Sequence, residues 1–577
     1  MRTGWARGAR ADTRCRGRVA EDSGGKDLIG RESAMALVKR KAAWRVDTPA
    51  DGWSEDWRWY AAAMARMKAL TPGLDEFRLA FGRALSEADP RSGELPQARL
   101  DQLTAIIAGW SNPLSLGYQS QVHGTFALDR SSWPRHQGRK VLWRECAHDQ
   151  WFFLPWHRAY LLQFEMVVRQ HIEELDGPAD TWALPYWNYS DFASDRRALG
   201  LPLALRTAVL PDGVEVPGLE ADPGDPVPNP LFEPTRQATG DPEPGESTSW
   251  ADAGIALRRS HFANQQDTRS VSFGGGVIDD PDDTVTFHRG GERGQLDAQP
   301  HGMTHGHVGG FMWLFETAAL DPAFWVHHCN VDRLWETYSK DLDHGYPFEA
   351  PDTPASAART SWTEHALIFL LPDGSLHSWT AAEVTDIGAL GYAYDTTAAP
   401  ALPPLAPAPP GSEIDPFGVA PEGTPEPVAG TSGIQLDGTT RVTLTSGGGV
   451  PAGALLAASF PADTRWLLRL TGVRSAGVAP TSFDVFLGLD PADLEGPTDP
   501  ADPRYCGGLS LFGAFEATRD DGISATNGIM QVFDVTEQVR SLGGDFAIDG
   551  AQVTLVPVHP GRDLTWLSVE QITLEFA

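Results

Sequence analysis

Cysteine is scarce: 577 residues carry four, Cys15, Cys146, Cys329 and Cys506, with no C-x-x-C pair among them. A set so sparse and scattered is no disulfide framework. Positive charge is also short, 46 Lys and Arg against 77 Asp and Glu, for a formal net charge of −31. A surface of that sign repels phosphate, which argues against nucleic acid and anionic membrane as partners. No run approaches the ~20 apolar residues of a spanning helix, and the Arg- and Gly-rich residues 1–34 lack the apolar core of a signal peptide. The expectation is a cytoplasmic protein with a disordered extension over 1–34 and an ordered chain from Met35.

Aromatic residues, by contrast, are plentiful: 20 Trp and 25 Phe within a hydrophobic fraction of 41%. A chain of this length exceeds what one core usually holds, so two domains are expected. Trp57, Tyr60, Met64 and Met67 recur at helical spacing. Residues 159–175 read as an amphipathic helix that starts after Pro155 and stops at Asp176-Gly177-Pro178, with His171 on its polar face. Residues 208–300, rich in Pro, Gly and Asp, read as loops with short helices, and His136, His261 and His288 take surface or structural roles. Residues 396–429 are too rich in Pro, Ala and Gly to bury a core and mark a semi-rigid linker. Beyond them, short alternating runs such as TRWLLRLTG, SFDVFLGL and LSVEQITLEFA, separated by Gly and Pro, predict an antiparallel β-sandwich or jelly roll over 430–577.

The chemistry-bearing residues are histidines. His301 and His305 stand four apart, which on a helix sets both imidazoles on one face, one turn apart. That is a two-point grip on a metal ion. Asp321-Pro322 opens an apolar segment that carries His327, His328 and Asp332, from which a third imidazole can complete a three-histidine site. A second set lies upstream: His148 and His157 in HDQWFFLPWHRAYLLQFE, and His123 in QVHGTF. Three neutral imidazoles without a thiolate suit zinc, copper or iron.

Both stretches resemble the coupled dicopper proteins of the tyrosinase, polyphenol oxidase and haemocyanin family. In that resemblance His123, His148 and His157 correspond to the ligands of the first copper, the last two in the H-x₈-H run that ends WHR-x-Y-L-x-x-F-E. His301 and His305 match PH-x₃-H, and the D-P-x-F-W-x-x-H-x₃-D signature selects His328, not His327, and closes on Asp332. The resemblance implies a mainly α catalytic domain over 35–395, a dicopper helical bundle with long loops, followed by the all-β C-terminal domain, itself like that of plant polyphenol oxidases. It also implies that Cys146, two before His148, forms a thioether to that ring. Tyr392 and Tyr394 resemble the Tyr-x-Tyr element that packs on a basic residue of the N-terminal strand, Arg40 or Arg45 here. Asp332, one turn after His328, is the expected carboxylate partner of that imidazole.

Two copper ions so held, with O2 as co-substrate, imply oxidation of small phenolic substrates, o-diphenols, to o-quinones. An o-aminophenol oxidase on the same site and a haemocyanin-like oxygen binder are the alternatives. Family members that hydroxylate monophenols commonly place Asn after the first histidine of the second site and pair it with an acid that holds a water. Here Gly302 stands in that place, with Asp297 or Glu292 as the acid, which argues for diphenol over monophenol oxidation. The C-terminal domain is expected to act in cis as a lid that keeps the chain latent, with Leu511 or Phe512 as an apolar plug.

Overall fold

The computed structural model describes residues 37–577 apart from 90–93, 127–144, 223, 239, 242–246, 265–270, 279–291, 345–356, 401–425, 447–454, 462–463, 478–480, 495–497, 519–527, 561–563, 565 and 577. His136, His288, the 1–34 extension and most of the expected linker lie outside the described residues. Residues Val38–Ala577 form one compact unit. No helix among the described residues is long and apolar enough to cross a membrane.

Helices build the first part of the chain. Glu55–Ala69 buries Trp57, Tyr60, Met64 and Met67 as their spacing predicts, and its acidic first turn and basic last turn suit the helix dipole. The next long helix runs over Phe153–Glu173, six residues earlier than its predicted start at 159. Pro155 falls in the first turn, where a backbone N–H has no intrahelical acceptor, so the proline costs no hydrogen bond. His171 is buried rather than on a solvated face: Nε2 donates to the Leu114 carbonyl at 2.9 Å, and Arg66 lies on its Nδ1 side. Helix Pro322–Glu336 starts on an Asp321 cap that accepts from the Ala323 N–H, and every one of its residues is buried. Trp325 stacks flat on Phe164, centroids 3.4 Å apart, and so joins the helices that carry His157 and His328.

Between them sits a buried charge cluster. Asp332 accepts from Arg158, from Arg40 at 3.1 Å, from the Tyr392 hydroxyl at 2.8 Å and from Tyr394. Arg40 also reaches Glu165, and Arg158 pairs with Glu336 at 2.8 Å. Burial pushes the Asp332 carboxyl up, but the two guanidinium groups hold it below the usual carboxylate range. Arg40 comes from strand Val38–Arg40, which pairs in parallel with Tyr392–Tyr394, and its guanidinium lies 3.8 Å over the Tyr392 ring. Of the two basic residues considered, Arg40 is thus the one under the tyrosines. Asp332 ties the start, middle and end of the helical part and accepts nothing from His328, whose ring nitrogens have no hydrogen-bond partner, which corrects the expectation that it orients that imidazole. The reason is local: two arginines and two phenols saturate the carboxylate.

The C-terminal part is two four-stranded antiparallel sheets. One orders Tyr505–Leu509, Phe483–Leu487, Gln552–Pro557 and Thr440–Thr443; the other orders Ile529–Asp534, Trp466–Ser475, Leu567–Phe576 and Glu426–Leu436. The expected β-sandwich class follows from the alternation in these strands. Its strand Tyr505–Leu509 is buried throughout and runs against the histidine-bearing segment: the Gly508 N–H donates to Gln299 Oε1 at 2.8 Å, and a Cβ on Gly508 would overlap Met303 Sδ.

Asp332→Ala would take from this buried cluster a carboxylate partner shared by Arg40 and Arg158, which keep Glu165 and Glu336, and the acceptor of the Tyr392 hydroxyl, at a cost of about 3–5 kcal/mol. Chemical denaturation of the full-length variant should show that loss, and a change within 1 kcal/mol of wild type would contradict it.

Candidate metal centre

His123 ends the helix Leu116–His123, His148 lies just before the long helix, and His157 sits one turn inside it. His301 belongs to the segment Asp297–Gly302, kinked at the extended Gln299, and His305 to the following helix Met303–Val308. His327 and His328 come from the all-buried helix. These residues fall into two groups whose potential ligand atoms lie within 4.8 Å of one another: His123, Cys146, His148 and His157, then His301, His305, His327 and His328. All are buried. The groups adjoin, for His157 and His328 stack with centroids 4.7 Å apart and His148 and His301 lie 6.0 Å apart.

The orientation of each ring follows from its partners. A carbonyl oxygen only accepts, so a ring nitrogen facing one must carry the proton. Nδ1 of His123 donates to the Phe315 carbonyl at 2.9 Å, of His157 to Phe153 at 2.8 Å, of His301 to Asp297 at 3.0 Å and of His305 to Met312 at 2.6 Å. Each Nε2 is then an acceptor turned into the site. Nε2 of His301, His305 and His327 and both ring nitrogens of His328 are buried with no hydrogen-bond partner. A cation is what such convergent lone pairs fit. Burial, then the neighbouring imidazoles, hold His157, His305 and His328 well below the usual histidine range, so they stay neutral. Burial also pushes the Cys146 thiol up, so its sulfur, 3.4 Å from Nδ1 of His148, is protonated and does not compete as a thiolate.

His327 was set aside in the sequence, yet it joins the second group; its adjacency to His328 was the only signal. Its Nδ1 faces the Tyr189 hydroxyl at 3.0 Å, whereas His328 lies between the groups, within 5.7 Å of the rings of His157, His301 and His305. Asp297 is at the site: one oxygen contacts His301 Nδ1 at 3.1 Å and the other accepts from the Asp149 N–H at 2.8 Å. Glu292, the other acid considered, is also buried. Its carboxylate is engaged by Asn264 at 2.7 Å and by Arg469 of the β-sandwich at 3.3 Å.

The β-sandwich covers this centre. Phe512 stacks on His305 with centroids 3.8 Å apart and planes 12° apart, and its ring also borders His301, His148 and Phe315. Of the two residues singled out as a plug, Phe512 is the one lying on the histidines. Ser510, two before it, explains Gly302: a Cβ at 302 would come within 2.3 Å of Ser510 Oγ. Glycine here admits the covering loop, a packing demand no single sequence discloses.

Gly302→Ala should therefore loosen the covering loop, and Ser510→Gly should relieve that loss in the double variant. Melting of the four chains is expected to give a coupling of about 0.5–3 kcal/mol; strict additivity would refute the contact.

Comparison with known proteins agrees with this geometry. Residues 115–341 match the common central domain of tyrosinase, and 434–576 match a domain of unknown function. The chain is 28% identical over 491 residues to the tyrosinase HcTyr1 of Hahella sp. (strain CCB-MM4), spanning 80% of this chain and 92% of that protein. It is 25% identical over 313 residues to a chloroplastic polyphenol oxidase of Malus domestica, spanning 50% and 44%. The fold matches the solved structure of latent apple tyrosinase with a TM-score of 0.50 at 20% identity, over 94% of this chain and 97% of that one. Residues 115–341 thus carry a tyrosinase common central domain that contains both buried histidine groups, and the chain as a whole is similar to tyrosinases and polyphenol oxidases.

Proposed function

We propose that this chain is a copper-dependent phenol oxidase that converts o-diphenols to o-quinones and is held latent by its own C-terminal domain. The observation that carries the reading is the pair of adjoining imidazole groups with Phe512 laid on one of them. Copper is the metal that the all-imidazole donor set and the dicopper nature of the family favour. His123, His148 and His157 would hold one ion and His301, His305 and His328 the other. The pair supplies redox chemistry: two catechols each give up two electrons and two protons, and O2 takes all four of each to become two waters.

The protein's own residues set the conditions for that exchange. Carbonyls of Phe153, Asp297, Met312 and Phe315 keep the Nε2 lone pairs directed inward. Asp297 steadies His301 while leaving Gly302 without a side chain to hold a water beside it, so diphenol oxidation is the favoured activity. A catalytic domain over 35–395, a linker over 396–429 and a domain over 430–577 divide the labour: the first carries the metals and the last supplies Phe512. Because the plug is tethered to the site, its effective concentration can reach roughly millimolar, and a modest contact suffices to exclude substrate. The known latency of the apple relative belongs to that protein; here Phe512 is the reason for expecting it.

Metal analysis checks the ligands. His157→Ala and His328→Ala are each expected to hold one copper where wild type holds two, and two coppers in either variant would refute the assignment. Oxygen uptake with 4-methylcatechol checks the plug: Phe512→Ala should raise turnover several-fold at unchanged copper content, and an unaltered rate would leave the β-sandwich a mere support.

A further inference from the structure

Arg293 touches both the metal-bearing segment and the plug, and nothing in the phenol-oxidase reading uses it. It is buried, its Nε pairs with Asp149, and its other two nitrogens point at the covering loop. Nη2 donates to the Phe512 carbonyl at 3.0 Å and Nη1 to the Ser510 carbonyl at 3.4 Å. Asp149 accepts from Nε, and Asp297 is turned to His301 and to the Asp149 N–H. When the plug withdraws, the Nη edge loses both acceptors, and a buried guanidinium left half-satisfied is costly.

The plug residue also has the skeleton of a recognisable molecule. From ring through Cβ and Cα to the carbonyl carbon, phenylalanine is a 3-phenylpropanoyl unit. Its ring lies on His305 and its carbonyl oxygen on Arg293. A 3-arylpropanoate that takes the ring's place sets a carboxylate where that carbonyl stands, and any hydroxyl para to the side chain lies at the end of the ring remote from the arginine. The exchange favours the substrate, because a carboxylate engages a guanidinium through two oxygens in a charge-assisted pair about twice as strong as the neutral bonds it replaces.

We propose that Arg293 is the carboxylate-reading residue of the open site, selecting catechols with a propanoate side chain over neutral catechols of the same size. This rests on the phenol-oxidase reading for its turnover, though not for its binding. Arg293 would thus serve two states in turn, holding the plug when the chain is closed and the substrate's acid group when it is open.

The test uses full-length, copper-loaded protein opened by a fixed dose of mild detergent. The kcat/KM values for 3-(3,4-dihydroxyphenyl)propanoate and for its uncharged amide are compared within each variant, so that the open fraction and copper content cancel in the ratio. Wild type is expected to favour the acid about tenfold, the scale of one charge-assisted bond. Arg293→Met should bring the ratio to about one and Arg293→Lys to an intermediate value, because the charge persists without the planar fork. A wild-type ratio near one, or a ratio unmoved by Arg293→Met, overturns the proposal. Equilibrium dialysis of 3-phenylpropanoate against 3-phenylpropanamide on copper-free, detergent-opened wild type gives a second readout that needs neither turnover nor a variant. Tighter binding of the acid supports the assignment and equal binding overturns it. Should neither catechol be oxidised by wild type while the acid still binds more tightly, the oxidase reading fails and the role of Arg293 stands.

Discussion

The site depends on one repeated bond, Nδ1–H to a backbone carbonyl. Four imidazoles make it, to Phe315, Phe153, Asp297 and Met312, and each is thereby committed to one tautomer with Nε2 facing inward. A carbonyl fixes a ring more firmly than a side chain would, because it belongs to a helix or turn that cannot rotate away. Burial then keeps His157 and His305 neutral, and the cost of burying unpaired lone pairs is accepted only where a cation offsets it. Everything else serves to hold those carbonyls and ring-bearing helices in place.

The buried cluster around Asp332 does much of that holding. It draws Arg40 from the first strand, Arg158 from one histidine-bearing helix, its own position on the other, and the two tyrosines of 392–394. A carboxylate fed by four donors is firmly placed, and with it the relative position of the helices carrying His157 and His328. The cluster explains how one acidic residue can matter to a metal site without touching a ligand.

The β-sandwich lies against the histidine groups through Phe512, which stacks on His305. Gly302 and Gly508 remove side chains where the covering loop and strand approach, and Arg293 and Gln299 donate to or accept from that loop's backbone. The face between the two parts also carries side-chain pairs, among them Arg469 with Glu292, Gln299 with the Tyr505 hydroxyl and Arg259 with Asp534.

The histidine spacings, the D-P-x-F-W run and the alternating C-terminal strands were legible because ligand geometry and strand periodicity are local: a residue's neighbours at i+4 or i+2 are set by the backbone. The early start of the helix at Phe153 was less so, since a proline reads as a break unless its place in the first turn is known. Membership of His327 in the second group, the capture of Glu292 by Arg469, the saturation of Asp332 and the seat of Phe512 on His305 were not legible at all. Each depends on which segment arrives beside it, from 22 residues away for His305 and His327 to 292 for Arg40 and Asp332. The sequence by itself determined the donor set and the two kinds of domain; tertiary packing alone decided which acid faces the site and what covers it, because a carboxylate's role is fixed by the partners that reach it first.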